Sequence, residues 1–285
     1  MKLAMFRCGG KKGIAASKND AFFGFTEDMA GYPGDLDSLI AAGKDLKTVG
    51  ESLLAAPEVD IASCEYLPPV TRPSKIICVG LNYAEHSKEI GFDAPPYPTI
   101  FSRFPSCLVG HNQPMIKPVQ SDQFDYEGEM VVVLNKRGKK IPENEALGYI
   151  AGYSLFNEGS IRDFQFLTPQ WTVGKNFDGT GAFGPWLVTP DALPPGGKGL
   201  KITTRLNGTI VQESNTEHMI FSIASLISLL SDTMTLESGD VIVSGTPSGV
   251  GVSRKPPLFM KDGDVAEVEV ESIGILRNPV KAERA

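Results

Sequence analysis

Cysteine is scarce in this 285-residue chain: there are four, Cys8, Cys64, Cys78 and Cys107, and no two share a CxxC spacing. That scatter argues against a thiolate metal site. The simplest expectation is four free thiols in apolar surroundings, in a reducing cytoplasm. No apolar run is long enough to span a bilayer. The most apolar stretch, residues 220–230, is broken by Ser222, Ser225 and Ser228. The start, MKLAMFRCGG, turns polar before a signal sequence could develop its apolar region. Excess positive charge is also missing: 27 Lys and Arg stand against 34 Asp and Glu, a net −7. Such a chain exerts no global pull on nucleic acid or anionic membrane, although a local basic pocket stays open. The G-x-S-x-G and H-E-x-x-H motifs are absent, as are internal repeats and low-complexity segments.

What is present is an ordinary globular composition, 41% hydrophobic and 21% charged, with enough length for one large domain or a domain with a small partner. Residues 1–70 read as a small α+β domain. MKLAMFR and DAFFGF look like strands, and DLDSLIAAG and LKTVGESLLAA carry helical spacing. Residues 67–73, with Pro68, Pro69 and Pro73, break regular structure and serve as the linker to a second domain, residues 71–285. That domain is strand-rich. Residues 76–79, 130–134 and 241–243 are buried-strand candidates, and residues 265–271 alternate as on a half-exposed strand. The clearest helix has Ile220, Ile223, Leu226, Ile227 and Leu230 on one stripe, with Ser222 as its cap. Helices are too few and strands too unevenly spaced for a βα-barrel or a doubly wound sheet, so the fold class is β-rich α+β.

Five segments can carry chemistry. In DYEGEMVVVL, Glu127 and Glu129 share a face of a strand; alone, such a pair reads as a solvated edge. GYSLFNEGSIRDFQ ends an apolar strand at Glu158. A third carboxylate there makes an all-oxygen set suited to Mg²⁺ or Ca²⁺, with Mn²⁺ as the alternative. In VGLNYAEHSKE, His86 and Glu89 are neighbours on a helical turn, a pairing that raises imidazole basicity or merely decorates a surface. GKNFDGTGAFGPW sets Lys175 among glycines and aromatics, suited to an oxyanion. In VSGTPSG the turn amides at Gly245 and the Thr246 hydroxyl are candidates to receive a carboxylate. His111 and His218 have no evident partner and read as core or surface residues. The loop at residues 93–98 is rich in proline.

The order and spacing of these segments, continued by MIFSIASLISLLS and GDVAEVEVESIGILRNPV, resemble the fumarylacetoacetate hydrolase superfamily across residues 74–280. The resemblance is to its bacterial acylpyruvate-hydrolase-like members. It implies a mixed β-sheet roll, a distorted barrel, behind the small N-terminal domain, and a homodimer. It implies Mg²⁺, replaceable by Mn²⁺, on Glu127, Glu129 and Glu158. His86 and Glu89 become the water-activating dyad and Lys175 the oxyanion stabiliser. Tyr83, Tyr153, Arg162, Gln165, Gly245 and Thr246 become substrate contacts. The implied reaction is hydrolysis of a C–C bond in a 2,4-dioxo acid, giving a carboxylic acid and pyruvate. The same metal–enolate chemistry also serves oxaloacetate decarboxylation and the isomerisation, hydration or lysis of 2-oxo-dienoic acids. A non-catalytic protein that binds a cation and an oxo acid is the remaining alternative. One departure stands out: the family has Asp where this chain has Glu158, whose carboxylate reaches roughly 1.5 Å further. Asp163 is a fallback ligand, though the motif places it too late. The aromatic set Phe156, Phe164, Phe166, Trp171, Phe177, Phe183 and Trp186 either lines an acyl pocket or packs in the core.

Overall fold

The computed structural model describes residues 1–89 and 96–284, so positions 93–95 of the proline-rich loop at 93–98 lie outside the described residues. The strand Gly128–Leu134 is the centre of the molecule. Every one of its residues is buried. Met130, Val132 and Leu134 enter one hydrophobic cluster, and Val131 and Val133 enter another on the opposite face. A strand covered on both faces needs apolar residues at consecutive positions, which is why this segment reads as an unbroken run.

Gly128–Leu134 pairs antiparallel with Ile150–Glu158 and with Val241–Val243. The sheet extends through Gly181–Val188 on one side, and through Ile76–Gly80 and Thr99–Arg103 on the other. A second sheet orders Thr209–Asn215, Lys201–Leu206, Val265–Val270, Gly274–Ala282 and Met115–Lys117. It packs on one face of the first, together with helix Ile223–Thr233, as Ile202, Val268, Leu226 and Leu230 share a cluster with Val132. The sheets are mixed and open; the roll does not close into a barrel. Helix Ile223–Thr233 starts where Ser222 accepts a hydrogen bond from the Ser225 amide, and Ile220 lies outside it. Strand Val265–Val270 alternates as expected. Ala266, Val268 and Val270 are buried, and Glu267 and Glu269 pair with Arg277 and Arg205.

The N-terminal segment joins this frame edge to edge. Strand Lys2–Cys8 pairs with Gly181–Val188, Leu3 opposite Leu187, so the main sheet runs on through Lys11–Lys18 and Ala21–Thr26. Helices Leu36–Ala41 and Leu46–Leu53, capped by Asp35 and Asp45, place Leu36, Leu39, Leu46 and Leu53 over the second face of the main sheet. Leu67 closes strand Glu65–Leu67, and the irregular path begins only at Pro68. Asp37 fixes that path through the amides of Thr71 and Arg72.

The cysteine expectation is corrected in part. Cys8 and Cys64 form a disulfide with Cα atoms 4.9 Å apart, while Cys78 and Cys107 are free and buried. The pairing of Arg7 with Glu65 brings the neighbouring positions 8 and 64 opposite one another. A sequence separation of 56 residues carries no hint of that contact.

Candidate active site

The strand ends on one side of the main sheet open into a cavity of about 420 Å³. Glu127, Glu129, His86, Arg162, Gln165, Lys175 and Thr246 line it. Glu127 immediately precedes Gly128–Leu134, and Glu129 lies two residues on, so the period of the strand turns both into the same space. Glu158 ends the neighbouring strand, Arg162 and Gln165 sit on the short helix Arg162–Gln165, and Thr246 follows Val241–Val243.

The charges form one buried chain of alternating sign. Asp125 accepts from Arg162 Nε at 2.8 Å. Arg162 Nη1 lies 2.7 Å from Glu127 Oε1. Lys175 Nζ donates to Glu127 Oε2 at 2.9 Å, to Ser160 Oγ at 2.7 Å, and to Glu158. Arg103 closes the chain on the other oxygen of Glu158 and donates also to Gly159 O and Thr180 Oγ1. Three anions and three cations thereby cancel at minimal exposure. Burial alone would raise the Glu127 carboxyl, but Lys175, then Arg162 and His86, hold it well below the usual carboxylate range. Burial likewise raises Glu158, with Lys175 and Arg103 opposing and Glu127 adding.

Glu129 stands beside this chain and forms no ion pair among the described residues. Its carboxylate accepts from the Gly245 amide. Burial pushes it well above its ordinary range, and the charges of Glu127 and Glu158 push further. A hard divalent cation is the group that would relieve such a carboxylate, and carboxylate oxygens are its preferred donors. The donor chemistry of Glu127 and Glu129 therefore fits Mg²⁺ or Mn²⁺. Glu127 and Glu158 are each engaged on both oxygens, Glu127 by Arg162 and Lys175, and Glu158 by Arg103 on one and by Lys175 and Ser160 on the other, so a cation there would displace these partners. Among the described residues no three carboxylates, imidazoles or thiols stand as an assembled metal cluster, since the Lys175 ammonium lies between Glu127 and Glu158.

His86 is buried on the helix Ala84–Glu89, with Nδ1 at 3.3 Å from Glu89 Oε2. Glu89 is held by the Gly249 amide at 3.0 Å from each oxygen. Burial would raise Glu89, yet its bonds to His86, Ser253 and Gly249 hold it below the ordinary range. An ionised Glu89 favours the tautomer with the proton on Nδ1, which leaves Nε2 free to act as a base. Strain marks the approach to this helix: Leu81, on the cavity wall, has φ +61°. Asn82 bolts the segment down. Its amide donates to Ser244 O at 2.7 Å and Phe221 O at 3.1 Å, and its carbonyl accepts from the Phe221 amide at 2.7 Å.

Some expected contacts fall elsewhere. Tyr153 is buried in the core beside Gly197 and does not line the cavity. Tyr83 lines a neighbouring cavity with His218; burial, then the Glu129 charge, raises its phenol. The Gly245 amide is spent on Glu129, and Thr246 Oγ1 donates to Gly128 O, so both brace the strand that carries the carboxylates. Gly245 itself has φ +104°, and a Cβ there would lie 2.7 Å from that of Asn82. Asp163 accepts from Ser121 and is outside the chain of charges. Of the aromatic set, Phe166 and Trp171 line the cavity. Phe156 packs on Phe183, Phe164 on Phe177, and the Trp186 indole donates to Ile273 O. Asp125, Arg103 and Asn82 went unread in the sequence. Asp125 opens a motif already singled out, whereas Arg103 is one charge in a strand that gave no other signal.

A β-rich α+β fold of open mixed sheets, with clustered carboxylates facing a His–Glu pair, an arginine and a lysine, defines the class. The family model described as fumarylacetoacetate (FAA) hydrolase C-terminal matches residues 75–281, and the chain belongs to that family. Its curated relatives include the mitochondrial oxaloacetate tautomerase FAHD2A of Homo sapiens, 38% identical over 98% of this chain and 91% of that protein. The Rattus norvegicus counterpart is 42% identical over 87% of this chain and 80% of its own length. Among solved structures, a fumarylacetoacetate hydrolase of Exiguobacterium antarcticum superposes with a TM-score of 0.87 at 34% identity, covering 99% of this chain and 100% of that one. A 5-carboxymethyl-2-hydroxymuconate delta-isomerase of Mycobacterium smegmatis reaches 0.79 at 31% identity, with both chains fully covered.

Proposed function

We propose that this protein acts on a 2-oxo acid through its enolate, and that the reaction is proton transfer between carbon 3 and the 2-oxo oxygen, a keto–enol tautomerisation. One observation carries the reading. Arg162 lines the cavity and is 3% exposed, and its Nη2 has no hydrogen-bond partner among the described residues, while Nε and Nη1 are held by Asp125, Glu127 and Gln165. A guanidinium with one unpaired nitrogen, on a residue that lines a cavity, is suited to turn that nitrogen to a carboxylate oxygen of a ligand. The names of the curated relatives support the tautomerase reading over the other reactions of the family.

With the carboxylate on Arg162, His86 Nε2 removes a proton from carbon 3, and Glu89 stabilises the imidazolium. The proton returns to the oxygen to give the enol. A base so placed is worth about 10²–10⁴ in rate. Glu129 and Glu127 are the residues that would hold a divalent cation, which would supply Lewis-acid chemistry at the 2-oxo oxygen. Lys175 keeps Glu127 ionised.

The His86–Glu89 pair also favours a second reading, since the same base can deprotonate water for hydrolytic C–C cleavage of a 2,4-dioxo acid. One assay separates the readings. Enol-oxaloacetate, enol-phenylpyruvate and a series of acylpyruvates are supplied with Mg²⁺, with and without EDTA, and absorbance and products are followed. EDTA-sensitive ketonisation without bond cleavage supports the tautomerase. Release of pyruvate and an acid supports the hydrolase, and CO₂ from oxaloacetate indicates a decarboxylase. His86→Ala is expected to lower kcat by about 10²–10⁴ in either of the first two cases while leaving Mn²⁺ affinity within about twofold. Full activity in that variant removes His86 from the mechanism.

A further inference from the structure

The cavity wall holds a charged cluster beside an apolar stretch. Glu127, Arg162 and Lys175 are linked there at 2.7–2.9 Å. Beyond Lys175 the wall turns apolar. The ammonium lies 5.0 Å from the ring centroid of Phe101, and Phe101 meets Trp171 edge to face at 5.6 Å. A Cβ on Gly80 would lie 2.5 Å from Trp171 Cζ3, so the indole occupies the space that a side chain at position 80 would need. Val79, Leu81, Val250 and Val252 continue the lining. Phe166 and Leu167 stand at the cavity with 60% and 70% of their surface exposed. Two large apolar side chains left in solvent beside a site are suited to an apolar ligand that covers them.

The cationic capacity is limited. Among the described residues lining the cavity, the basic groups are His86, Arg162 and Lys175. Lys175 Nζ is already shared by two carboxylates and a hydroxyl, and His86 faces Glu89. Arg162 Nη2 has no partner among the described residues, which leaves it for one carboxylate. A second carboxylate, as on oxaloacetate, would sit against Phe101, Trp171 and the valines, desolvated and unpaired.

We infer that the site takes a 2-oxo acid with a single carboxylate and an uncharged apolar far end, aryl or branched alkyl, seated against Trp171. Trp171 is then the specificity-determining residue. The inference rests on the reading of the cavity as a 2-oxo acid site and narrows its substrate class.

Binding tests it without turnover. The chain has two tryptophans, so Trp186→Phe leaves Trp171 as the single indole reporter. Phenylpyruvate, 4-methyl-2-oxopentanoate, pyruvate and oxaloacetate are titrated with Mg²⁺ present, by Trp171 emission and by calorimetry. Phenylpyruvate is expected to bind at least tenfold more tightly than pyruvate or oxaloacetate and to perturb the emission. Trp171→Ala should weaken phenylpyruvate about tenfold and pyruvate less than twofold, and Trp171→Phe should restore most of the loss. Equal affinity for pyruvate and phenylpyruvate, or tightest binding of oxaloacetate, overturns the inference while the 2-oxo acid reading stands. No binding of any of the four overturns that reading, and the inference with it.

Discussion

Arg103 shows how a single residue can be decisive and nearly invisible. It is 2% exposed and spends its guanidinium on Glu158, the Gly159 carbonyl, Thr180 and Cys107. Removing one partner of a buried pair strands the other charge, at a cost of about 3–5 kcal/mol. Arg103→Met should therefore lower unfolding stability by about that amount, and Arg103→Met combined with Glu158→Gln should regain most of it. Urea unfolding of the two single variants and the double variant closes the cycle; strict additivity would show that the pair is not coupled. His111 makes a different prediction. Burial, with Arg277 adding, depresses its imidazole to about 4, and its Nδ1 accepts from the Arg277 amide at 3.1 Å. The unfolded chain takes up the proton near 6.5 and the folded one only near 4. The stabilising contribution is thus present above about pH 6.5 and is lost as pH falls from there to about 4, to a total of about 3 kcal/mol. Comparing the chain with His111→Gln by urea unfolding at pH 7, 5.5 and 4 isolates the effect; parallel curves would remove it.

At the scale of elements, the site is a meeting of strand ends. Neighbouring strands deliver Glu129 and Glu158, the turn after Val241–Val243 braces Glu129, and Asn82 couples the His86 helix to that turn. Asn82→Ala removes three side-chain hydrogen bonds in a buried position. It is expected to cost about 2–3 kcal/mol in stability and to lower kcat by displacing His86, with affinity for the oxo acid changed less. Wild-type kcat in that variant would show that the helix holds its place without this bolt. The carboxylate strand was legible because its unbroken apolar run admits few readings. The short helix Ala84–Glu89 was legible only through the spacing of His86 and Glu89. Tyr153 was misplaced because alternation along Ile150–Glu158 decides which face a side chain takes, and its face is the core.

At the scale of the molecule, the N-terminal quarter is a wall of the same structure. The sheet passes through the pairing of Leu3 with Leu187, and helices Leu36–Ala41 and Leu46–Leu53 cover Val131, Val133, Val241 and Val243. Residues 71–285 expressed alone should expose that apolar face, bind a hydrophobic dye and aggregate. A monomeric fragment with a cooperative melt would show instead that the face is stable uncovered.

The sequence by itself determined the class of fold, the order of the segments and most of the site's acidic and basic groups. Strand period and motif spacing are local properties, and a family resemblance is a statement about order. Only the tertiary structure decided that Cys8 meets Cys64, that Arg103 and Asp125 complete the chain of charges, and that Trp171 rather than Phe164 or Phe183 faces the cavity. Each of these depends on which strands become neighbours and on which face a side chain is buried. Such contacts join residues far apart in the chain, and no local pattern encodes them.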